Sequence, residues 1–140
     1  MLISKQILGV SLLLFGTALA TATMAEGKHL PWQKDPSPIA GRWSVTCDEL
    51  AGMVVEFKVD GKKAIGHVSK VGNGSVVGYS FGEEIIRLEA TDFGDWVGQL
   101  HWRAVNPNDR WDPIRFVATS TQLDATMTTS PCYKKMPRAN

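Results

Sequence analysis

Met53-Val54-Val55-Glu56-Phe57-Lys58-Val59-Asp60-Gly61-Lys62-Lys63-Ala64-Ile65-Gly66-His67-Val68-Ser69-Lys70-Val71 is the stretch that decides the fold. Met53, Val55, Phe57 and Val59 recur at every second position with Glu56 and Lys58 among the intervening residues, the period at which side chains leave opposite faces of a strand. Asp60-Gly61 follows, a pair favoured in two-residue hairpins because glycine enters left-handed backbone conformations without a Cβ penalty. A second run, 64–71, comes next. The stretch reads as an antiparallel hairpin with one face toward a core and the other toward water.

The same period extends on both sides. Runs at 42–48, 75–81, 85–90, 95–105, 114–120 and 123–129 bring the expected strands to eight, and no helical apolar stripe interrupts them. Gly72-Asn73-Gly74, Gly82-Glu83 and Thr121-Gln122 supply turns, and 106–113 is the one longer loop. Consecutive hairpins make an up-and-down meander, which loses its two exposed edges by closing into a barrel. The expected fold is therefore an all-β, antiparallel eight-stranded barrel, with a two-sheet β-sandwich as the alternative. Parity assigns Trp43, Val45 and Cys47, then Trp96, Leu100 and Trp102, to the core. Ile114, Phe116 and Ala118, then Leu123, Ala125 and Met127, continue that side.

Ahead of the strands, residues 1–25 read as a cleaved signal peptide: Lys5 gives the positive start, Ile7 to Ala20 are apolar, and small residues follow. The apolar stretch falls short of the roughly 20 residues that a membrane helix needs, so no span is expected after processing. Ala18-Leu19-Ala20 and Thr23-Met24-Ala25 are both acceptable cleavage sites, and the later one lies just before the polar turn to Glu26. Residues 26–40, with Pro31, Pro36 and Pro38, form an irregular lead-in, and 41–140 form one domain. An exported location, periplasmic or extracellular, follows from this reading.

The chain has 15 basic and 14 acidic residues; losing Lys5 with the signal leaves 14 of each. A balanced surface does not attract nucleic acid, which calls for a basic face. The two cysteines, Cys47 and Cys132, are expected to be bonded because export leads to an oxidising compartment. In the chain-entropy model, closing so long a loop stabilises the fold by roughly 4 kcal/mol.

Gly41-Arg42-Trp43, opening the first strand of an exported eight-strand meander, resembles the G-x-W start of lipocalin-like (calycin) barrels. The resemblance implies a barrel whose Trp plugs a closed end and whose open end holds a ligand cavity. A bonded Cys47 and Cys132 would make the first and last strands neighbours, with Trp43 near Met136. The last strand would then bend at Pro131, and 132–136 would pair with 43–47.

Chemistry is sparse by comparison. His29, His67 and His101 are scattered and neither cysteine has a C-x-x-C partner, so neither a metal nor a cofactor is expected. Ser80-Phe81-Gly82 and Thr128-Thr129-Ser130 offer hydroxyls in no nucleophile context, and Glu83-Glu84 are adjacent carboxylates at a turn. His101 shares its strand face with Asp95, Gln99 and Arg103. The best contact candidates are Arg110, Trp111 and Asp112 in the 106–113 loop, since loops carry function and Trp and Arg serve as contact hot spots. Trp111 folding over a barrel end, with Arg110 paired to an aspartate, is the structural alternative. Two functional readings follow. One is a noncatalytic module that binds a partner protein, inhibitor-like, or a small apolar ligand at the barrel mouth. The other is a small enzyme assembled in space around His101 and Arg103.

Overall fold

Alternating sequences become strands here because each strand buries one row of side chains and leaves the other in water. The computed structural model describes residues 29–103, 110–128 and 130–140. Eight antiparallel strands follow one another around a nearly closed barrel. They are β1 (Gly41–Ser44), β2 (Val54–Asp60), β3 (Lys63–Lys70), β4 (Glu84–Ala90), β5 (Trp96–Trp102), β6 (Arg110–Ala118), β7 (Gln122–Met127) and β8 (Lys135–Pro137). The chain divides into two units, Met1–Leu30 and Pro31–Asn140, and the barrel belongs to the second. The expected signal peptide, the loop residues 106–109 and the strand ends at 104–105 and 129 lie outside the described residues. No helix among the described residues is long and apolar enough to cross a membrane.

The inward side chains fill the barrel. Trp43, Phe57, Trp96 and Phe116 are at most 2% exposed, and Val55, Ile86, Leu100, Ile114 and Leu123 pack with them. Phe57 and Phe116 meet edge to face with centroids 6.2 Å apart. Burial on this scale is the main stabilising term, about 1.5–3 kcal/mol for each large apolar side chain.

Three expectations are corrected. First, 75–81 is not a strand. Gly72–Val77 is a 3₁₀ turn, and Gly78, at φ 97, reverses the backbone where a strand would have to stay extended. Second, 132–136 does not continue a bent last strand. Pro131–Tyr133 is a 3₁₀ turn, after which β8 folds back on β7 with Leu123 opposite Met136. The chain does border β1 as expected, but Trp43 bridges Arg138 rather than Met136. Third, Val59 and Met127 are exposed. Met127 follows a bulge in the β6–β7 pairing that inserts one residue and turns its side chain outward.

The two barrel ends differ in construction. Where β1, β3, β5 and β7 begin, residues 34–40 cross as a strap. Lys34 N–H donates to Asp92 O (2.8 Å) and Ser37 N–H to Gly94 O (2.8 Å). Trp43 Nε1 donates to Ile39 O (2.8 Å) and Trp96 Nε1 to Ser37 O (2.9 Å). Arg138 closes the seam beside them. Its guanidinium lies 3.8 Å from the Trp43 ring centroid and donates to Ala40 O (2.5 Å) and Pro38 O (3.1 Å). At the opposite end the connections Asp48–Leu50, Gly72–Val77 and Pro131–Tyr133 fold as short 3₁₀ turns, and Cys47 and Cys132 are bonded there with Cα atoms 4.6 Å apart.

Candidate functional site

The disulfide-bearing end and the adjoining outer face of β4, β5 and β6 gather most of the residues singled out from the sequence. Arg110, Trp111 and Asp112 are not loop residues: all three lie in β6. Strand continues through Pro113 because the β7 pairing begins only at Arg115, so Pro113 sits where no partner on that side needs its missing N–H. Trp111 is opposite His101 in the β5–β6 ladder, and their rings stack at 4.9 Å with an interplanar angle of 15°. Arg87 of β4 reaches the same indole, its guanidinium 4.1 Å from the ring centroid. Arg110 and Asp112 are committed to each other, with Arg110 Nε donating to both carboxylate oxygens (2.8 and 2.9 Å). The structural alternative for that pair is the one realised.

A shallow groove of about 380 Å³ lies beside this platform, lined by Lys63, Ile65, Arg87, Val97 and Gln99 among others. It is on the outer face of the barrel. The expected sharing of one face by Asp95, Gln99, His101 and Arg103 follows from strand parity, but Asp95 is held by Arg115 (3.2 Å).

Sequence reasoning missed how Glu83 works. Ser80-Phe81-Gly82-Glu83 closes a turn in which Glu83 N–H donates to Ser80 O (3.2 Å) and Gly82 has φ 78, the conformation a type II turn demands at its third position. Glu83 Oε2 accepts Ser80 N–H (3.0 Å), while Oε1 accepts Arg103 Nε (2.8 Å) and Nη2 (2.5 Å). His101 Nδ1 is 3.6 Å from that same oxygen. The adjacent carboxylates do point apart: Glu84 pairs with Arg87 at 3.0 Å. His101, Arg103 and a carboxylate thus converge, but both Glu83 oxygens are occupied, and the cluster ties the turn to the end of β5.

Two tyrosines lie under the same end. The Tyr79 hydroxyl donates to His101 O (3.0 Å) and accepts Arg103 N–H (3.2 Å). The Tyr133 side chain is fully buried and its hydroxyl makes no hydrogen bond. Burial pushes both phenols above their ordinary value, Tyr133 well above it, and the charge that Tyr79 would carry adds to the effect on Tyr133. The approach of the two hydroxyls raises Tyr133 further and offsets part of the rise at Tyr79.

Among the described residues, the group of possible metal ligands with donor atoms close together is Cys47, Glu49 and Cys132. Its two sulfurs are bonded to each other, so they are not available as thiolate ligands. Trp32, in the lead-in, is 54% exposed and contacts Phe93 with centroids 6.1 Å apart. In comparisons with family models, characterised proteins and solved structures, nothing matches this chain.

Proposed function

We propose that this chain is an exported, noncatalytic binding module that holds a partner protein on its outside. One observation carries the reading: the inward positions of the strands are occupied by Trp43, Phe57, Trp96 and Phe116, each at most 2% exposed. A small apolar ligand needs a cavity of several hundred Å³ walled by apolar side chains, and these rings stand where its walls would be. The resemblance to lipocalin-like barrels is then one of the Gly41-Arg42-Trp43 start and the barrel architecture rather than of an internal ligand. Contact falls to the outer face, where Trp111, braced by His101 and Arg87, is the aromatic centre and the groove beside Arg87 adds relief. Arg110 and Asp112 contribute as a pair at its margin. The leader at 1–25 and the bonded cysteines support export.

The rival reading, an enzyme around His101 and Arg103, draws on their convergence with Glu83. The saturation of Glu83 weighs against that carboxylate acting as a base. The test has two arms. Chemical cross-linking of tagged protein in its own compartment should capture a partner protein at constant stoichiometry, with a lower yield for Trp111→Ala. Titration with an environment-sensitive fatty-acid probe should give no saturable binding. One-to-one uptake of the probe, or hydrolytic activity abolished by His101→Ala, would overturn the proposal.

A further inference from the structure

The β3–β4 connection ends in a turn that displays one large apolar side chain on a rigid mount. Phe81, second residue of the Ser80-Phe81-Gly82-Glu83 turn, is 76% exposed. Exposure is common at flexible tips, but this tip is tied on every side. Gly82 N–H donates to Val68 O (2.7 Å) and Val68 N–H to Glu83 O (2.9 Å), which docks the turn against β3. The Glu83 carboxylate closes the turn through Ser80 N–H and fastens it to Arg103 of the next hairpin. Tyr79, just before the turn, holds the end of β5 through its hydroxyl. Phe81 itself takes no part: its N–H and C=O make no hydrogen bond with the described residues, and its ring lines an open cleft of about 260 Å³ together with Glu56, Lys58, His67 and Ser69. His67 Nδ1 is buried without a hydrogen-bond partner, so a second polar need lies in the residues of that cleft.

An aromatic ring already held in place loses little conformational freedom when it is covered, the condition under which one residue contributes most to an interface. The surroundings select the kind of surface that covers it. An unpaired N–H and C=O beside the ring match the main chain or side-chain amides of another protein, and they would be left unsatisfied in hydrocarbon. Glu56 and Lys58 line the cleft together, and Glu83 and Glu84 are paired with Arg103 and Arg87, so the turn lacks the cluster of free basic side chains that an anionic lipid surface attracts. A ring left 76% exposed calls for a partner surface that can enclose it. We infer that the 80–83 turn is the anchor of this module, and that the Phe81 ring seats in an apolar pocket of a partner protein whose pocket rim supplies hydrogen-bonding groups to the turn backbone. The inference rests on the binding-module reading and adds a second contact element to the Trp111 face.

The experiment places the photoreactive analogue p-benzoylphenylalanine at position 81, and separately at position 111, in the full chain within producing cells. Irradiation should give a protein adduct from position 81, with the attached residue lining an apolar concavity of the partner. With that partner purified, Phe81→Ala should weaken binding about 30-fold or more while the melting curve stays unchanged, because the side chain is exposed. An adduct from 111 without one from 81, or a loss under threefold for Phe81→Ala, overturns the anchor and leaves the binding module standing. No protein adduct from either position defeats both. Adducts with a second copy of this chain, or Phe81-dependent sedimentation with phosphatidylcholine–phosphatidylglycerol vesicles, assign the turn to self-association or to membrane and overturn the inference.

Discussion

The strap end and the disulfide end close the same barrel by different physics. At the strap end, residues 34–40 run directly into β1, and Trp43 and Trp96 each spend their single N–H on a strap carbonyl while their rings stay in the core. Only the Trp43–Ile39 bond is local; the Trp96–Ser37 bond spans 59 residues and the Arg138 bonds to Pro38 and Ala40 span 100 and 98, so this end also joins distant parts of the chain, but without a covalent link. The opposite end is covered, among the described residues, by three 3₁₀ connections from distant parts of the chain, and it uses a covalent bond, a carboxylate–guanidinium tie and two buried phenols. Cover assembled from connections leaves parts facing outward, and Val76 and Phe81 are 80% and 76% exposed there. The strap end also leaves rings outside, with Phe93 and Trp32 69% and 54% exposed, so the two ends differ in the bonds that close them rather than in whether they display apolar side chains.

If the strap end is purely structural, Trp43→Ala should have the largest effect, a loss of roughly 3–5 kcal/mol in urea unfolding, with no effect on binding beyond that of misfolding. A loss below about 1 kcal/mol would mean that the plug is dispensable and the contrast false. At the other end, Cys47→Ala should cost about 2–4 kcal/mol under oxidising conditions. The same variant compared with wild type under reducing conditions should show almost no difference, and titration of unreduced, unfolded wild type should find no free thiol.

Smaller effects sharpen the comparison. Trp111 is half-buried between strap-like rigidity and open contact, so Trp111→Ala should cost roughly 1–2 kcal/mol through its Arg87 and His101 contacts. A cost equal to that of Trp43→Ala would make it a structural residue and remove it from the contact face. Tyr133→Phe should be the mildest, within about half a kcal/mol at neutral pH, because the hydroxyl it removes has no hydrogen bond to lose. Alkaline pH should separate it from wild type. Both phenols are raised in the fold, so the folded state keeps protons that the unfolded chain releases above about pH 10. The stability they contribute is intact below that pH and declines as pH rises toward the folded values. Melting curves from pH 8 to 11 should therefore fall more steeply for wild type than for Tyr133→Phe, and parallel curves would count against the buried phenol.

Much of the barrel was legible because period-two patterning is local. The 53–71 stretch formed the expected hairpin, though its two-residue loop is Gly61-Lys62 rather than Asp60-Gly61 because Asp60 pairs with Lys63, and Trp43, Leu100, Phe116 and Leu123 point inward as parity requires. The misreadings came where tertiary demands override pattern. Val76 and Val77 look like strand residues, yet Gly72, Gly74 and Gly78 let the chain cap a barrel end instead. Met127 has core parity until the bulge shifts it. The site was less legible still. Trp111 was visible as a Trp between Arg and Asp, but its stacking on His101 depends on a β5–β6 register that no local signal encodes. Glu83 looked like half of an unproductive carboxylate pair, because the Arg103 that claims it lies 20 residues on. Gly82-Glu83 marked the turn, and the bulky aromatic just before a glycine suited to φ above zero was the further sign that Phe81 belongs to it rather than to a strand.

The Arg138 clasp has a consequence for how the barrel is made. Its bonds to Pro38 and Ala40 span 100 and 98 residues, and the disulfide spans 85. Each of the other strand pairings joins sequence neighbours. Hairpins can zip along the chain in order, but the seam between β1 and β8 forms only when both ends of that procession meet. Until then the edges of β1 and β8 remain unpaired, each a template for another chain. Contacts of such long sequence separation are slow to form. The interval before the clasp engages is therefore the period in which this protein is most exposed to misassembly, and a compartment that supplies oxidant shortens it.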